Sequence, residues 1–308
     1  MIHVDNPKKV VLIAGGSGLV GKALSQRLQE KGYEVRILTR NINQKSKYLL
    51  FHWDLDKNEM DSSAMANIDF LINLSGENIS AKRWTNKQKA KILTSRVHST
   101  QFLYKSILET KTQLKAFVSA GAVGYYGTFT SNKVFVETSN AGSDFLAKTC
   151  AQWEDAAFYF EKLNVRTVVL RTGVVFSKKG GAFPKMTTSL GLGIFPVLGN
   201  GRQAIPWIHI HDLVEMYCQA LENEDMKATY NAVAPQAVNY QLLKKEIRKR
   251  QFIFPFPSIP AFLLKFILGE MASILLYGSI VSSKKIEELP FNFRFAQISD
   301  ALDELLTR

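Results

Sequence analysis

Val10-Val11-Leu12-Ile13-Ala14-Gly15-Gly16-Ser17-Gly18-Leu19-Val20-Gly21 decides the fold of this 308-residue chain. Five consecutive apolar residues read as a buried strand, three glycines at G-x-x-G-x-x-G spacing as a sharp turn, and residues 22–31 as a helix. Such a helix start makes an anion site, because unpaired backbone N–H groups and the positive end of the helix dipole point at one spot. Gly15 suits the tight turn, Gly18 the approach of a pyrophosphate, and Gly21 close packing of helix on strand. A glycine trio alone also suits a plain turn; the strand–turn–helix setting is what points to a dinucleotide. Gly15, Ser17, Gly18, Leu19, Val20 and Gly21 are therefore the cofactor candidates of the turn.

The next strand indicates which dinucleotide. Glu34-Val35-Arg36-Ile37-Leu38-Thr39 ends in Arg40, nineteen residues past Gly21. An NAD site usually places a carboxylate here for the ribose 2′-hydroxyl, whereas a guanidinium suits a 2′-phosphate. The expected cofactor is NADP(H), with NAD(H) second. Asp54, closing Leu50-Phe51-His52-Trp53, suits either the adenine amino group or a turn cap.

With 46% hydrophobic and 21% charged residues, the chain can bury a full core. Two cysteines, Cys150 and Cys218, make no disulfide framework, and no Cys/His cluster suggests a metal. The first residues, with Asp5 and Pro7, lack the apolar core of a signal peptide, so the cytoplasm is the expected compartment. Residues 261–278 are the most apolar stretch; Lys265 and Glu270 interrupt them, which suits a core or interface helix and argues against stable membrane insertion. The net charge of +12 is uneven: residues 81–116 carry nine Lys/Arg against Glu109, and Lys244, Lys245, Arg248, Lys249 and Arg250 form a second cluster. Such runs are usually solvated helix faces, and here they also suit steering of a polyanion. No basic platform interleaved with aromatic residues marks nucleic-acid binding.

Short apolar runs at Phe70-Leu71-Ile72-Asn73-Leu74, Ala116-Phe117-Val118-Ser119 and Thr167-Val168-Val169-Leu170 alternate with helical patterns at 86–108 and 145–163. That alternation predicts βαβ units, hence an α/β fold with a doubly wound parallel sheet of the NAD(P)-binding Rossmann kind. Substrate-binding loops are expected from about residue 174 onward, including 178–181 and 191–201, at the carboxyl edge of the sheet. Residues 252–260, with three prolines, read as a linker. The expected division is residues 1–250 and a small, mainly helical C-terminal lobe, 251–308.

Taken together, the glycine turn, Asn73-Leu74-Ser75-Gly76-Glu77-Asn78-Ile79, Gly124-Tyr125-Tyr126-Gly127, Asp144-Phe145-Leu146-Ala147, Trp153-Glu154, Arg171-Thr172-Gly173 and Trp207-Ile208-His209-Ile210-His211-Asp212 resemble the extended short-chain dehydrogenases/reductases. More narrowly, the chain is similar to the atypical NAD(P)-dependent epimerase/dehydratase branch with a small C-terminal domain of unassigned function. The resemblance spans nearly the whole chain, and adds Leu74, Ser75, Gly76 and Lys148 to the cofactor candidates.

The resemblance also implies a mechanism: a Tyr-x-x-x-Lys pair on one helix face exchanges a proton while hydride moves at the nicotinamide, and a serine holds the substrate oxygen. Here Lys148 stands at the lysine position and Asp144 at the tyrosine position. Ser119 survives at the strand end, with Gly121 or Ala122 where the usual serine is expected, and Arg96 replaces an active-site asparagine. The catalytic candidates are thus Lys148, Ser119, Asp144 and the loop phenols Tyr125 and Tyr126. Asp144 is equally suited to capping its helix, and the phenols to an aromatic wall. Arg96, Arg171, Arg202 and Trp207 are substrate candidates, with Arg171 also suited to a structural ion pair. His209 and His211 lack a third ligand and read as loop contacts, with Asp212 as a helix cap. The expected function is an NADP(H)-binding epimerase or oxidoreductase acting on an unidentified small, sugar-like or anionic substrate, as a monomer or homodimer. The alternative is a non-catalytic NADP(H)-binding regulatory protein.

Overall fold

The structure is a computed structural model and describes residues 8–307; Asp5 and Pro7 lie outside them. The amino-terminal half comprises β1 (Val10–Ala14), α1 (Leu19–Glu30), β2 (Glu34–Thr39), β3 (Leu49–Asp54), β4 (Glu59–Met60), β5 (Phe70–Asn73), α2 (Asn86–Thr110), β6 (Ala116–Ala122), β7 (Val134–Phe135) and α3 (Phe145–Phe158). Then follow β8 (Arg166–Thr172), β9 (Val174–Phe176), α4 (Ala182–Thr187), β10 (Ala204–Ile205), β11 (Trp207–His209), α5 (Ile210–Glu222), β12 (Ala228–Ala232), β13 (Val238–Asn239) and α6 (Tyr240–Arg248). The last stretch holds α7 (Ala261–Leu268), α8 (Ser273–Leu276), β14 (Ile280–Val281), α9 (Lys284–Glu287) and α10 (Ile298–Leu306).

The central sheet runs β12-β8-β6-β5-β1-β2-β3-β4, parallel except for the β3–β4 pair. Its interior strands are apolar without alternation because helices cover both faces. In β1, Val11 and Ile13 pack with Leu24, Leu28, Leu213 and Met216 of α1 and α5. The intervening Val10, Leu12 and Ala14 pack on the other face with Leu103 and Ile107 of α2. The strand order reverses between β5 and β1, so the crevice at their carboxyl ends is where a doubly wound sheet takes its ligand. The α/β architecture read from the sequence is the observed one.

Residues 251–307 are laced into the rest. β14 pairs in parallel with β7, Ile286 joins the core under α1 and α5, and α10 shares a cluster with α6, Phe176 and Trp207. Asp212 ties this segment down by accepting hydrogen bonds from the Arg294 and Phe295 backbone N–H groups. Residues 261–278 differ from the single core or interface helix expected. α7 stops at Gly269, whose φ of +60° no side chain adopts cheaply, and its Phe262 and Phe266 face outward. Among the described residues no helix is long and apolar enough to cross a membrane.

Candidate active site

The glycine turn sits at the β1 side of the crevice. Gly15 adopts φ +83°, and a Cβ there would lie 2.8 Å from the Leu74 carbonyl carbon, so the turn nests directly against the loop after β5. At Gly21 a Cβ would come 2.4 Å from the Gly15 oxygen, which is why α1 can begin so close to the strand. A Cβ at Gly18 would meet only the Gly15 oxygen, at 3.4 Å, leaving its outer side open. Thr85, Asp144, His209 and Asn239 cap α2, α3, α5 and α6 with their side chains. Gly18 caps α1 with none, and no acidic residue stands in its first turn. The first-turn N–H groups are thus offered outward, as an anion requires.

Across the crevice, the Ser75 hydroxyl is buried and has no hydrogen-bond partner among the described residues. Its backbone N–H donates to the Asn73 side-chain oxygen, fixing the loop beside Gly15. A buried, unpaired hydroxyl costs roughly 1–3 kcal/mol, so its retention here fits a ligand that completes it. Arg40 follows directly on β2, two residues past Leu38, which pairs with Ala14 at the carboxyl end of β1, and it is exposed. Asp54 accepts at one oxygen from the Asp56 and Lys57 N–H groups and so acts as a turn cap. A cleft of about 680 Å³ adjoins the turn, with Ser17, Leu19, Lys22, Lys178, His209 and Arg294 on its walls. A Cβ at Gly181 would lie 3.0 Å from Leu19, which places the loop after β9 over the start of α1. Lys178 and His209 meet the same Glu304 carboxylate at 3.1 and 3.2 Å, and burial lowers the His209 pKa. These groups together suit a dinucleotide lying across the turn.

The structure redistributes the catalytic candidates. Ser119 lies level with Asn73, three residues before the end of β6, and is fully buried; it is a core residue out of reach of a ligand. Asp144 accepts from the Ala147 N–H at 2.9 Å and from both the N–H and hydroxyl of Thr128, so it is a cap with its oxygens in use, not a base. Lys148 belongs to the exposed stripe of α3 with Gln152 and Asp155. It points about 200° around the helix from Leu146, which packs under Gly124. Lys148 therefore faces solvent, away from the loop with the phenols. Tyr126 is also enclosed: its hydroxyl donates to Asn231 at 2.6 Å and accepts from Arg171 at 2.9 Å, and burial pushes its pKa up to about 12.

Arg171, expected as a substrate clamp, is spent internally. Its Nε and Nη2 reach Glu154 at 2.8 Å each, and Nη1 donates to Tyr126 and the Glu137 carbonyl. Trp207 is fully buried and donates to the Gln236 carbonyl, so it is core. Glu137 and Asn231, which help lock this network, carry no motif of their own; the available signal was Glu154, in the Trp153-Glu154 pair one turn after buried Cys150 on a mostly apolar helix face. What remains at the carboxyl edge is Tyr125, half-buried, with the Arg171 guanidinium 3.5 Å from its ring centre. Arg202 is exposed on the loop before β10.

Arg96 points from α2 to the loop after β5: a Cβ at Gly76 would lie 3.0 Å from its guanidinium carbon. The group lies 5.3 Å from the Trp153 ring centre and donates to the Ile92 carbonyl. Among the described residues no carboxylate reaches ion-pair distance, and burial lowers its pKa. A half-buried guanidinium with no carboxylate at ion-pair distance suits an anionic group of a ligand. Among the described residues no three His, Cys, Asp or Glu side chains converge on a common point.

Comparison with known proteins accords with this geometry. The profile of the NAD dependent epimerase/dehydratase family matches residues 11–233, and that of a domain of unknown function, DUF1731, matches residues 259–305. The epimerase family protein YfhF of Bacillus subtilis (strain 168) is 31% identical over 297 residues, covering 96% of this chain and 97% of YfhF. The crystal structure of the human epimerase family protein SDR39U1 (isoform 2) with NADPH superposes with a TM-score of 0.83 at 29% identity, over 96% of this chain and 98% of that one. A nucleoside-diphosphate sugar epimerase from Corynebacterium glutamicum superposes with a TM-score of 0.77 at 30% identity, over 97% of this chain and 58% of that one.

Proposed function

The chain belongs to the NAD dependent epimerase/dehydratase family, and from that premise we propose that it is a cytoplasmic NADP(H)-binding epimerase or oxidoreductase acting on a small anionic, sugar-like substrate. The observation that carries the cofactor assignment is exposed Arg40 directly after β2, the strand beside β1, where an NAD site would hold a carboxylate. The NADPH in the human relative supports the same choice.

Within that reading the first turn of α1 and the Ser75 hydroxyl hold the diphosphate side of the cofactor, and Arg40 holds the 2′-phosphate. The bound nicotinamide would supply hydride transfer. Tyr125 is the accessible phenol at the carboxyl edge, and its ring, held face-on by Arg171, is the group that passes a proton to or from a substrate oxygen. Arg96 supplies the fixed positive charge for an anionic substrate. Arg202, on an exposed loop, reaches the substrate from outside.

A second reading, binding without chemistry, draws on the solvent-facing Lys148 and the enclosed Ser119 and Tyr126. One experiment separates the two. NADPH and NADH are titrated into the wild type and Arg40→Glu, and NADPH-loaded protein is then offered a panel of sugar nucleotides and small keto acids. The proposal expects selective loss of NADPH affinity in Arg40→Glu, about tenfold or more. It also expects turnover, by hydride transfer or by epimerisation without net cofactor consumption. Equal loss of both cofactors removes Arg40 from the site; tight binding with inertness across the panel selects the regulatory reading.

A further inference from the structure

The largest concentration of exposed apolar side chains lies far along the chain from the glycine turn. In α7, Phe262 and Phe266 are 74% and 81% exposed, and Leu263 and Ile267 beside them are exposed as well. The i,i+4 spacing gathers all four on one side of a two-turn helix. The opposite side is fixed, with Leu264 buried among Leu198, Ile259, Ala272 and Leu276. The preceding strap carries Phe252, Phe254 and Phe256, all exposed, and Phe252 and Phe254 meet edge-to-face at 4.8 Å.

These rings are held out rather than left loose. Buried Ile253 anchors the strap, the Phe254 N–H donates to the Gly193 carbonyl, and Ile259 exchanges backbone hydrogen bonds with Val197 and Gly199. Against the same Val197 lies a groove of about 370 Å³ lined by Gln241, Lys244, Lys245 and Arg248. Those three cations make no ion pair among the described residues, whereas their neighbours Lys249 and Arg250 are engaged with Glu246 and Asp303. Lys265 adds a further exposed cation within α7 itself.

Protruding phenylalanines beside unpaired lysine and arginine form the pattern of a surface that rests on a bilayer. We propose that the α7 face and the strap before it dock reversibly on a membrane leaflet rich in anionic phospholipid, with the rings entering the headgroup boundary and the Lys244–Lys245–Arg248 groove taking headgroup phosphates. Charge selects this occupant. A second copy of the chain seated on the same face would bring its own basic cluster to an already basic rim, whereas an anionic leaflet is complementary. No described helix can span a bilayer, so the contact is interfacial. It is independent of the cofactor reading.

The test is sedimentation of the full chain with vesicles of phosphatidylcholine alone and of phosphatidylcholine mixed with phosphatidylglycerol, at low and high salt, alongside light scattering without lipid. The wild type should pellet with the anionic vesicles, and less so as salt rises. Phe262→Ser with Phe266→Ser should lower that binding about tenfold or more while unfolding temperature and NADPH affinity stay at wild-type values. Lys244→Glu with Lys245→Glu and Arg248→Glu should abolish the preference for anionic vesicles. Failure of the wild type to pellet overturns the proposal, as does equal binding to both vesicle types. A dimer that the phenylalanine substitutions dissociate, without vesicle binding, assigns the face to self-association instead.

Discussion

Arg171 clasps Glu154 through two parallel N–H···O bonds of 2.8 Å, with both side chains almost wholly buried. Burial works against the Arg171 charge, but its hydrogen bonds to Glu154 prevail and raise its pKa, while burial raises that of Glu154. Removing one partner strands the other charge in the core. Arg171→Met should cost about 3–5 kcal/mol of stability, read from chemical denaturation, because Glu154 is left buried without a counter-ion. A loss below about 1 kcal/mol would show that water reaches Glu154 freely.

The two adjacent tyrosines should separate cleanly. Tyr126→Phe removes a buried hydroxyl that bridges Asn231 and Arg171, and should lower stability by about 1–3 kcal/mol with turnover retained. Tyr125→Phe should leave the unfolding midpoint in place and reduce turnover about a hundredfold or more. Lys148→Met, on the solvent stripe of α3, should alter stability by less than about 0.5 kcal/mol and leave turnover unchanged. The inverse pattern in kcat would return the chemistry to the helix.

Ser75→Ala should act with opposite signs on the free and bound protein. It removes a hydroxyl that finds no partner among the described residues, so the free protein should be unchanged or slightly more stable. NADPH affinity should fall about tenfold to a hundredfold, since a hydrogen bond to a charged group contributes roughly 1.5–3 kcal/mol. Calorimetric titration and thermal unfolding of the same sample read both effects.

Burial holds the His209 imidazole below its ordinary pKa of 6.5. A histidine lowered in the folded state contributes stability that is complete above 6.5 and is lost as pH falls through the folded value. Denaturation midpoints should therefore fall on acidification below about pH 6.5, and His209→Gln should flatten that part of the profile. An unaltered slope in the variant would place the titrating group elsewhere.

The fold was legible because β1, β5, β6 and β8 are apolar on both faces and are separated by amphipathic helices, which leaves a parallel sheet with a crevice beside Gly15. The cofactor side of the site was legible for the same reason: glycine spacing and the end of β2 are local properties. The catalytic side was not. Whether Lys148 faces the crevice depends on a rotation of α3 set by Leu146, Cys150 and Trp153 packing inward, and Arg171 is claimed by Glu154, Tyr126 and the Glu137 carbonyl from three separate segments. Asp144 could be read either as cap or as base, and only Thr128, sixteen residues upstream, decides between them.

The lacing of β14 onto β7 makes the carboxyl-terminal segment a structural keystone for the loop that carries Tyr125. Asn231 holds the Ser282 carbonyl with its amide and the Tyr126 hydroxyl with its oxygen, so one side chain joins the end of the chain to that loop. Removal of the residues beyond about 250 would thus do more than shed an appendage. It would unbutton the phenol loop from behind, and the epimerase-like portion would survive as a sequence without its reactive geometry.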